Sequence, residues 1–450
     1  MQAETPDDFF KREEPFFQEF SAQFSLDPEV VYFMAGQKGS MPQAVLARLK
    51  SGLDETARDP FPVYVEPSAE TRARIARCYG TTADQIAITR NTTDALSLVF
   101  NGIDWQVGDE ILMSPLEHPS GITAALRAAA RYGLVIRQWG VPVHADVTAD
   151  EVVAAFERQI VPGKTRAVFF SSPVWPIGQR MPERRLAELA QRAGALTIVD
   201  GAHYNGMIDP RLDETGADFF ALCGHKWQCG PGGTGVLYIR NRMLPANSTE
   251  LPRFFISRSH SRDVPFDGSR GDWDIGQALS MYGFPESADW RALGDACDLW
   301  DQTGRARIEQ WHLNLADYLR DQIAGAFGRE AILGAQHDVS LKSGIVAFTP
   351  FTHQEQQFDE ALNVTFRERL LHDYGFRISG KGLGGLGLTR PPDPQADQFP
   401  AGTVPNRDPE TLSPAPMAHP QRVNACVWNT REQIDRFVVA ARELADLLQA

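Results

Sequence analysis

The chain has 450 residues, 43% of them hydrophobic, which is enough to bury a large core and suggests two closely joined domains. Its formal charge of -14, from 58 acidic and 44 basic residues dispersed along the chain, argues against attraction to phosphate backbones or anionic lipid, so neither a nucleic-acid nor a membrane partner is expected. The five cysteines, Cys78, Cys223, Cys229, Cys297 and Cys426, are widely spaced with no CxxC pair, which points to free thiols rather than a disulfide framework or a zinc site.

In chain order, residues 1–19 are polar and acidic and do not resemble a basic-then-apolar leader, and no apolar run approaches the roughly 20 residues that span a bilayer. A cytoplasmic protein, or a mature form whose leader was removed, is the expectation. From about Gln85 to Arg240 the apolar runs QIAIT, DEILMS, RAVFFSS, LTIVD, ADFFALC and GVLYIR alternate with amphipathic segments such as 121–133 and 183–194. Strands alternating with helices at this spacing predict an α/β domain whose mostly parallel sheet is covered on both faces. Residues 295–327 read as one long helix, SGIVAF and FRIS as strands, and 431–449 as an amphipathic closing helix, which together predict a smaller α+β domain. The division expected is an N-terminal segment 1–50 packing with the small domain, a large domain 51–295 and a small domain 296–450. Within the last, residues 380–420 turn Gly/Pro-rich, the mark of a long loop that is either functional or disordered.

Two charged residues carry the chemistry. Asp200 ends the apolar run TIVD and Lys226 follows FFALCGH. In an open parallel sheet ligands bind beyond the carboxyl ends of the strands, so both side chains face one crevice. An amine that forms a Schiff base, paired with a carboxylate that keeps a pyridine nitrogen protonated, is what pyridoxal 5'-phosphate (PLP) requires. At about 4 Å and an effective dielectric near 20, that attraction is worth roughly 4 kcal/mol, or about three pKa units. Three other signals lead nowhere. GKGLGG at 380–385 fits GxGxxG but runs into Arg390-Pro391-Pro392 rather than a helix. HExxH is missing, and no cysteine lies between Glu330 and Leu386.

The segment DGAH, followed by CGHKW running into GPGGTGVLYIR, resembles the signature of the class V aminotransferases of PLP fold type I, the family of isopenicillin N epimerases, cysteine desulfurases and kynureninases. The resemblance runs roughly from Val31 to the C-terminus. It implies a phosphate loop at RNTTDALSLVF, where Thr92 and Thr93 open a helix whose dipole and unpaired N–H groups suit a dianion. It further implies that His118, in SPLEHPSGI, stacks on the cofactor ring, that His203 lies close to cofactor and substrate, and that Cys223 and His225 sit at the phosphate. Cys223 stands where many relatives have Ser, and a thiol is a weak donor. Trp175 stands where relatives present an Asn to the cofactor's phenolic oxygen; it is expected to stack, to form a substrate wall or to be a core residue. Arg422, in QRVNACVWNT, is nominated to clamp a substrate carboxylate bidentately. Gly271 and Asp272 fall about where relatives use Gly-Thr from a neighbouring subunit to touch the phosphate, which implies a homodimer; Asp272 would repel that group, and the nearby Ser269 is its substitute.

The function implied is PLP-dependent chemistry on the α-amine of an amino acid, or of a peptide or small molecule bearing an amino-acid end. Lys226 carries the cofactor, and amino transfer and epimerisation share the first steps. A C–S lyase working by β-elimination, and a catalytically silent PLP-fold regulator, are the alternatives. In the loop 380–420, Phe399, Arg390 and Arg407 are expected either to select a substrate larger than a free amino acid or to belong to a surface insertion.

Overall fold

The computed structural model describes residues 4–60, 69–240, 275–280, 287–380 and 419–449. The loop 380–420 with Arg390, Phe399, Arg407 and the GKGLGG run, and the segment 269–274 with Ser269, Gly271 and Asp272, thus lie almost entirely outside the described residues.

A seven-stranded sheet organises the large domain: β1 (Ile86–Thr89), β2 (Glu110–Met113), β3 (Val135–Gln138), β4 (Thr165–Ser171), β5 (Leu196–Asp200), β6 (Phe219–Cys223) and β7 (Gly235–Ile239), in the order β1-β7-β6-β5-β4-β2-β3. Pairings among β2 to β6 are parallel, and β7 runs antiparallel to both of its neighbours. Strands β1, β5, β6 and β7 are buried along their whole length, as strands covered on both faces must be, and they read as unbroken apolar runs. Strand β3 escaped sequence reading because VIRQ alternates half-exposed and buried positions at the sheet edge, with Arg137 reaching out to Glu110. The helices Pro119–Tyr132 and Glu183–Arg192 occupy the predicted amphipathic segments.

One predicted helix is two. Apolar periodicity continues through 295–327, yet the chain breaks between Ser287–Thr303 and Arg305–Phe327 because Gly304 adopts a φ of 92°, a turn that only glycine takes without strain. FRIS also divides. Phe376–Arg377 pairs in parallel with Val31–Tyr32, whereas Ser379–Gly380 joins Gln421–Asn424 and Ile345–Phe348 in an antiparallel three-stranded sheet. The helix Arg431–Gln449 closes the chain as the periodicity predicts.

The N-terminal helix Pro6–Ser21 docks by its phenylalanines: Phe17 stacks on Trp311 with ring centroids 4.3 Å apart, and the following Phe24 meets Trp428 edge-on at 5.1 Å. We propose the threefold division of the chain as read above; its boundary after residue 295 falls within the helix Ser287–Thr303. Among the described residues no helix is long and apolar enough to cross a membrane.

Candidate active site

The carboxyl ends of β1, β4, β5 and β6 open onto one pocket, and ten of the residues nominated from the sequence line it: Thr92, Thr93, His118, Trp175, Asp200, His203, Cys223, His225, Lys226 and Arg422. The sheet accounts for this convergence. Asp200 and Cys223 are the last residues of β5 and β6, Lys226 follows β6 by three positions, and the helix Thr92–Gly102 starts three positions after β1.

Asp200 is only 4% exposed, and its Oδ1 accepts the Ala202 N–H at 3.0 Å. Burial pushes this carboxyl above its ordinary range, while the Ala202 N–H and the Lys226 ammonium oppose that shift. Lys226 Nζ lies 3.4 Å from His203 Nε2. On the other side of the imidazole, Trp227 Nε1–H donates to His203 Nδ1 at 3.3 Å. An indole nitrogen only donates, so a neutral His203 carries its proton on Nε2, facing the lysine nitrogen. Burial, then the nearby Lys226 and Arg422 charges, hold the His203 pKa well below its usual value and keep the ring neutral.

At the opposite wall Asn91 caps the helix Thr92–Gly102, its Oδ1 accepting the Asp94 N–H at 2.9 Å. The Thr92 hydroxyl and His225 Nδ1 are both buried without a hydrogen-bond partner among the described residues. Burial, reinforced by Lys226, pushes His225 down to about 4. Cys223 spends its thiol proton on the Ala202 carbonyl at 3.2 Å. Two unsatisfied polar atoms beside a helix N-terminus amount to a place for an anion with several acceptor oxygens.

His118 caps the helix Pro119–Tyr132, with Nδ1 accepting the Ser120 N–H at 3.2 Å and lying 2.7 Å from Ser120 Oγ. Its ring meets Trp175 edge-on at 5.2 Å. Arg422 is buried; its Nε donates to Ser379 Oγ at 3.1 Å and Nη1 donates to the Trp175 carbonyl. No carboxylate among the described residues pairs with this guanidinium, and burial draws its pKa down to about 10.

Several residues of the site have no local signal in the sequence. Gly36 and Gln37 reach the pocket from the N-terminal segment, where a Cβ on Gly36 would come within 2.8 Å of Asn424 Oδ1 and 3.1 Å of His203 Cε1. Ser120 and Ser171 also line it, and Trp227 and Glu117 stand just behind. Asn91 could have been found, because Asn before two threonines and an apolar run is an N-cap pattern.

These features can be set beside known proteins. The family model described as aminotransferase class-V matches residues 65–365. The chain is 31% identical to an isopenicillin N epimerase of Amycolatopsis lactamdurans, over 71% of this chain and 81% of that protein. It is 28% identical to an isopenicillin N epimerase of Streptomyces clavuligerus, over 74% and 84%. A probable cysteine desulfurase of Mycolicibacterium paratuberculosis is 26% identical over 93% of this chain, which is 56% of that protein. Among solved structures, a C-DES mutant with glycine covalently linked to its PLP cofactor aligns with a TM-score of 0.70 at 22% identity, covering 94% of this chain and 98% of its own. The cysteine desulfurase CsdA of Escherichia coli aligns at 0.69 and 20%, covering 99% and 100%. At such identity these two likenesses bear on the fold, which is PLP fold type I.

Proposed function

Because the chain belongs to the class-V aminotransferase family, whose cofactor is PLP, we propose that it is an enzyme acting on the α-amine of an amino acid or of a molecule bearing an amino-acid end. The observation that carries this reading is Arg422: a buried guanidinium without a described carboxylate partner lines the same pocket as Lys226. Burying an unpaired cation is costly, and a substrate carboxylate supplies the missing counter-charge.

The residues present fit the cofactor. The unsatisfied Thr92 hydroxyl and His225 Nδ1, with the helix N-terminus at Thr92 and Thr93 and the Cys223 edge, would hold its phosphate. Asp200 would face its ring nitrogen, His118 would cover one ring face, and Lys226 would bind it covalently. When bound, PLP supplies an electrophilic carbon for amines and a ring that withdraws electrons from the substrate's Cα. His203 Nε2–H would orient the Lys226 lone pair when that nitrogen is neutral. Lys226, in the same pocket as Arg422, would serve as the base for the α-proton, a role worth roughly 10² to 10⁴ in rate. Arg422 orients the carboxylate, and Trp175, wedged between His118 and Arg422, forms a wall that excludes water from the reacting carbon.

The epimerase relatives favour return of the proton to Cα over amino transfer. The second reading, β-elimination at a C–S bond, has the desulfurase relatives behind it. A persulfide route does not fit, since all five cysteines of the chain are buried and burial raises the pKa of Cys223, the one that lines the pocket. The test is proton exchange in D₂O. Incubating the PLP-loaded protein with a panel of free and peptide-linked amino acids should wash deuterium into Cα with the wild type and not with Lys226→Ala. Inverted stereochemistry identifies epimerisation, an oxo acid identifies amino transfer, and pyruvate with a released thiol identifies elimination. The absence of Cα exchange with every amino compound tried overturns the reading.

A further inference from the structure

A second carboxyl group lies buried behind Asp200, and the mechanism above does not use it. Glu117 is 0% exposed. Its Oε1 accepts the Ser171 N–H at 2.9 Å, and its Oε2 is hydrogen-bonded to Ser171 Oγ. Ser171 is the last residue of β4, stands in register with Asp200 on β5, and lines the pocket. Adjacent in-register residues of a sheet project to the same face, so Ser171, which holds Glu117, shares its face of the sheet with Asp200 at the pocket wall.

Among the described residues no cation compensates Glu117. The groups that act on it are Ser171, Ser114 and the like-charged Asp200, and the first two are uncharged. Two carboxylates cannot both ionise cheaply in one dry site. Of the pair, Asp200 has the Ala202 N–H and the Lys226 charge to favour its anion, whereas Glu117 has only hydrogen bonds from neutral groups. Burial and the neighbouring Asp200 charge push Glu117 up to about 8, in keeping with this geometry.

We propose that Glu117 is a positioning residue that stores a proton behind Asp200: its neutral carboxyl, hydrogen-bonded through Ser171, leaves Asp200 the single negative charge at the end of the sheet. The proton stays within the Glu117–Ser171 pair and does not travel to substrate. Its functional meaning rests on the reading of Asp200 given above, but the charge state is a property of the protein without cofactor and is tested there.

The experiment is urea unfolding of the cofactor-free protein as a function of pH, for wild type and Glu117→Gln, the neutral isostere. A carboxyl whose pKa is raised by folding stabilises fully below its unfolded value, near 4.5, and loses that contribution as pH climbs to the folded value. The wild-type unfolding constant, relative to Glu117→Gln, should therefore rise about tenfold per pH unit between about 4.5 and 8 and then level off. Ser171→Ala, which removes a hydroxyl that favours the anion, should move the upper end of that step to higher pH. This variant serves as the independent check if Glu117→Gln does not fold. A ratio that stays flat or falls over the window means that Glu117 is ionised in the fold and overturns the proposal; a step unmoved in Ser171→Ala means that Ser171 does not hold the Glu117 carboxyl and overturns it as well. In the loaded protein the visible absorbance of Glu117→Gln should match wild type below pH 8 and lose the wild type's change above it. Loss of that spectral match alone, with the cofactor-free step intact, would instead count against the placement of Asp200 at the ring.

Discussion

At the scale of single residues the proposed site separates into groups that would bind and groups that would react. Borohydride reduction of the loaded protein followed by peptide mapping should find the pyridoxyl group on Lys226; an adduct on another lysine would displace the assignment. Asp200→Asn should still take up PLP, since the phosphate contacts survive, yet lose at least about 10²-fold in Cα proton abstraction in single-turnover kinetics, because about three pKa units of ring-nitrogen stabilisation are at stake. Arg422→Ala leaves a substrate carboxylate unpaired in a dry pocket, a loss of about 2 to 5 kcal/mol expected chiefly in KM for carboxylate-bearing substrates and absent for the corresponding amines. Trp227→Phe keeps the packing and removes the donor that fixes the His203 tautomer. The rate of PLP uptake by the cofactor-free variant should fall by up to about tenfold, the worth of one hydrogen bond.

At the scale of elements the helix Thr92–Gly102 makes a split prediction. Thr92→Val removes a buried hydroxyl that has no partner among the described residues, so thermal stability of the cofactor-free protein should hold or rise while PLP affinity, measured by fluorescence titration, falls by about five- to tenfold. The strands were legible because each is an apolar run of the length a doubly covered sheet demands, and Asp200 and Lys226 were legible because they follow such runs directly. The edge strand β3 was not, since a half-exposed strand with an arginine in it reads as a loop. Gly304 hid for the opposite reason: helical periodicity continues across it, and only the backbone angle reveals the break. Glu117 and Trp227 stay invisible to motif reading because they touch the site through Ser171 and His203, contacts that sheet register and loop geometry create.

At the scale of the whole molecule we propose a homodimer, which static light scattering should report as twice the chain mass; a monomer that retains full activity on dilution would exclude a shared site. Phe17 is buried against Trp311, so Phe17→Ala should cost about 3 to 5 kcal/mol in urea unfolding of the apo-protein, although this residue lies outside the pocket. The N-terminal segment also has a consequence for the order in which the protein comes into being. Gly36 and Gln37 form part of the pocket, but the strand Val31–Tyr32 pairs with Phe376–Arg377, Asn424 donates its N–H to the Phe33 carbonyl at 3.0 Å, and Arg431 binds Glu14. On the ribosome the first part of the site to be synthesised must wait for the last. The lysine and the strands around it are complete about 140 to 190 residues before the partners that hold Gly36 and Gln37 in place, so a nascent chain carries an exposed reactive amine and acquires an enclosed site only once those partners have emerged.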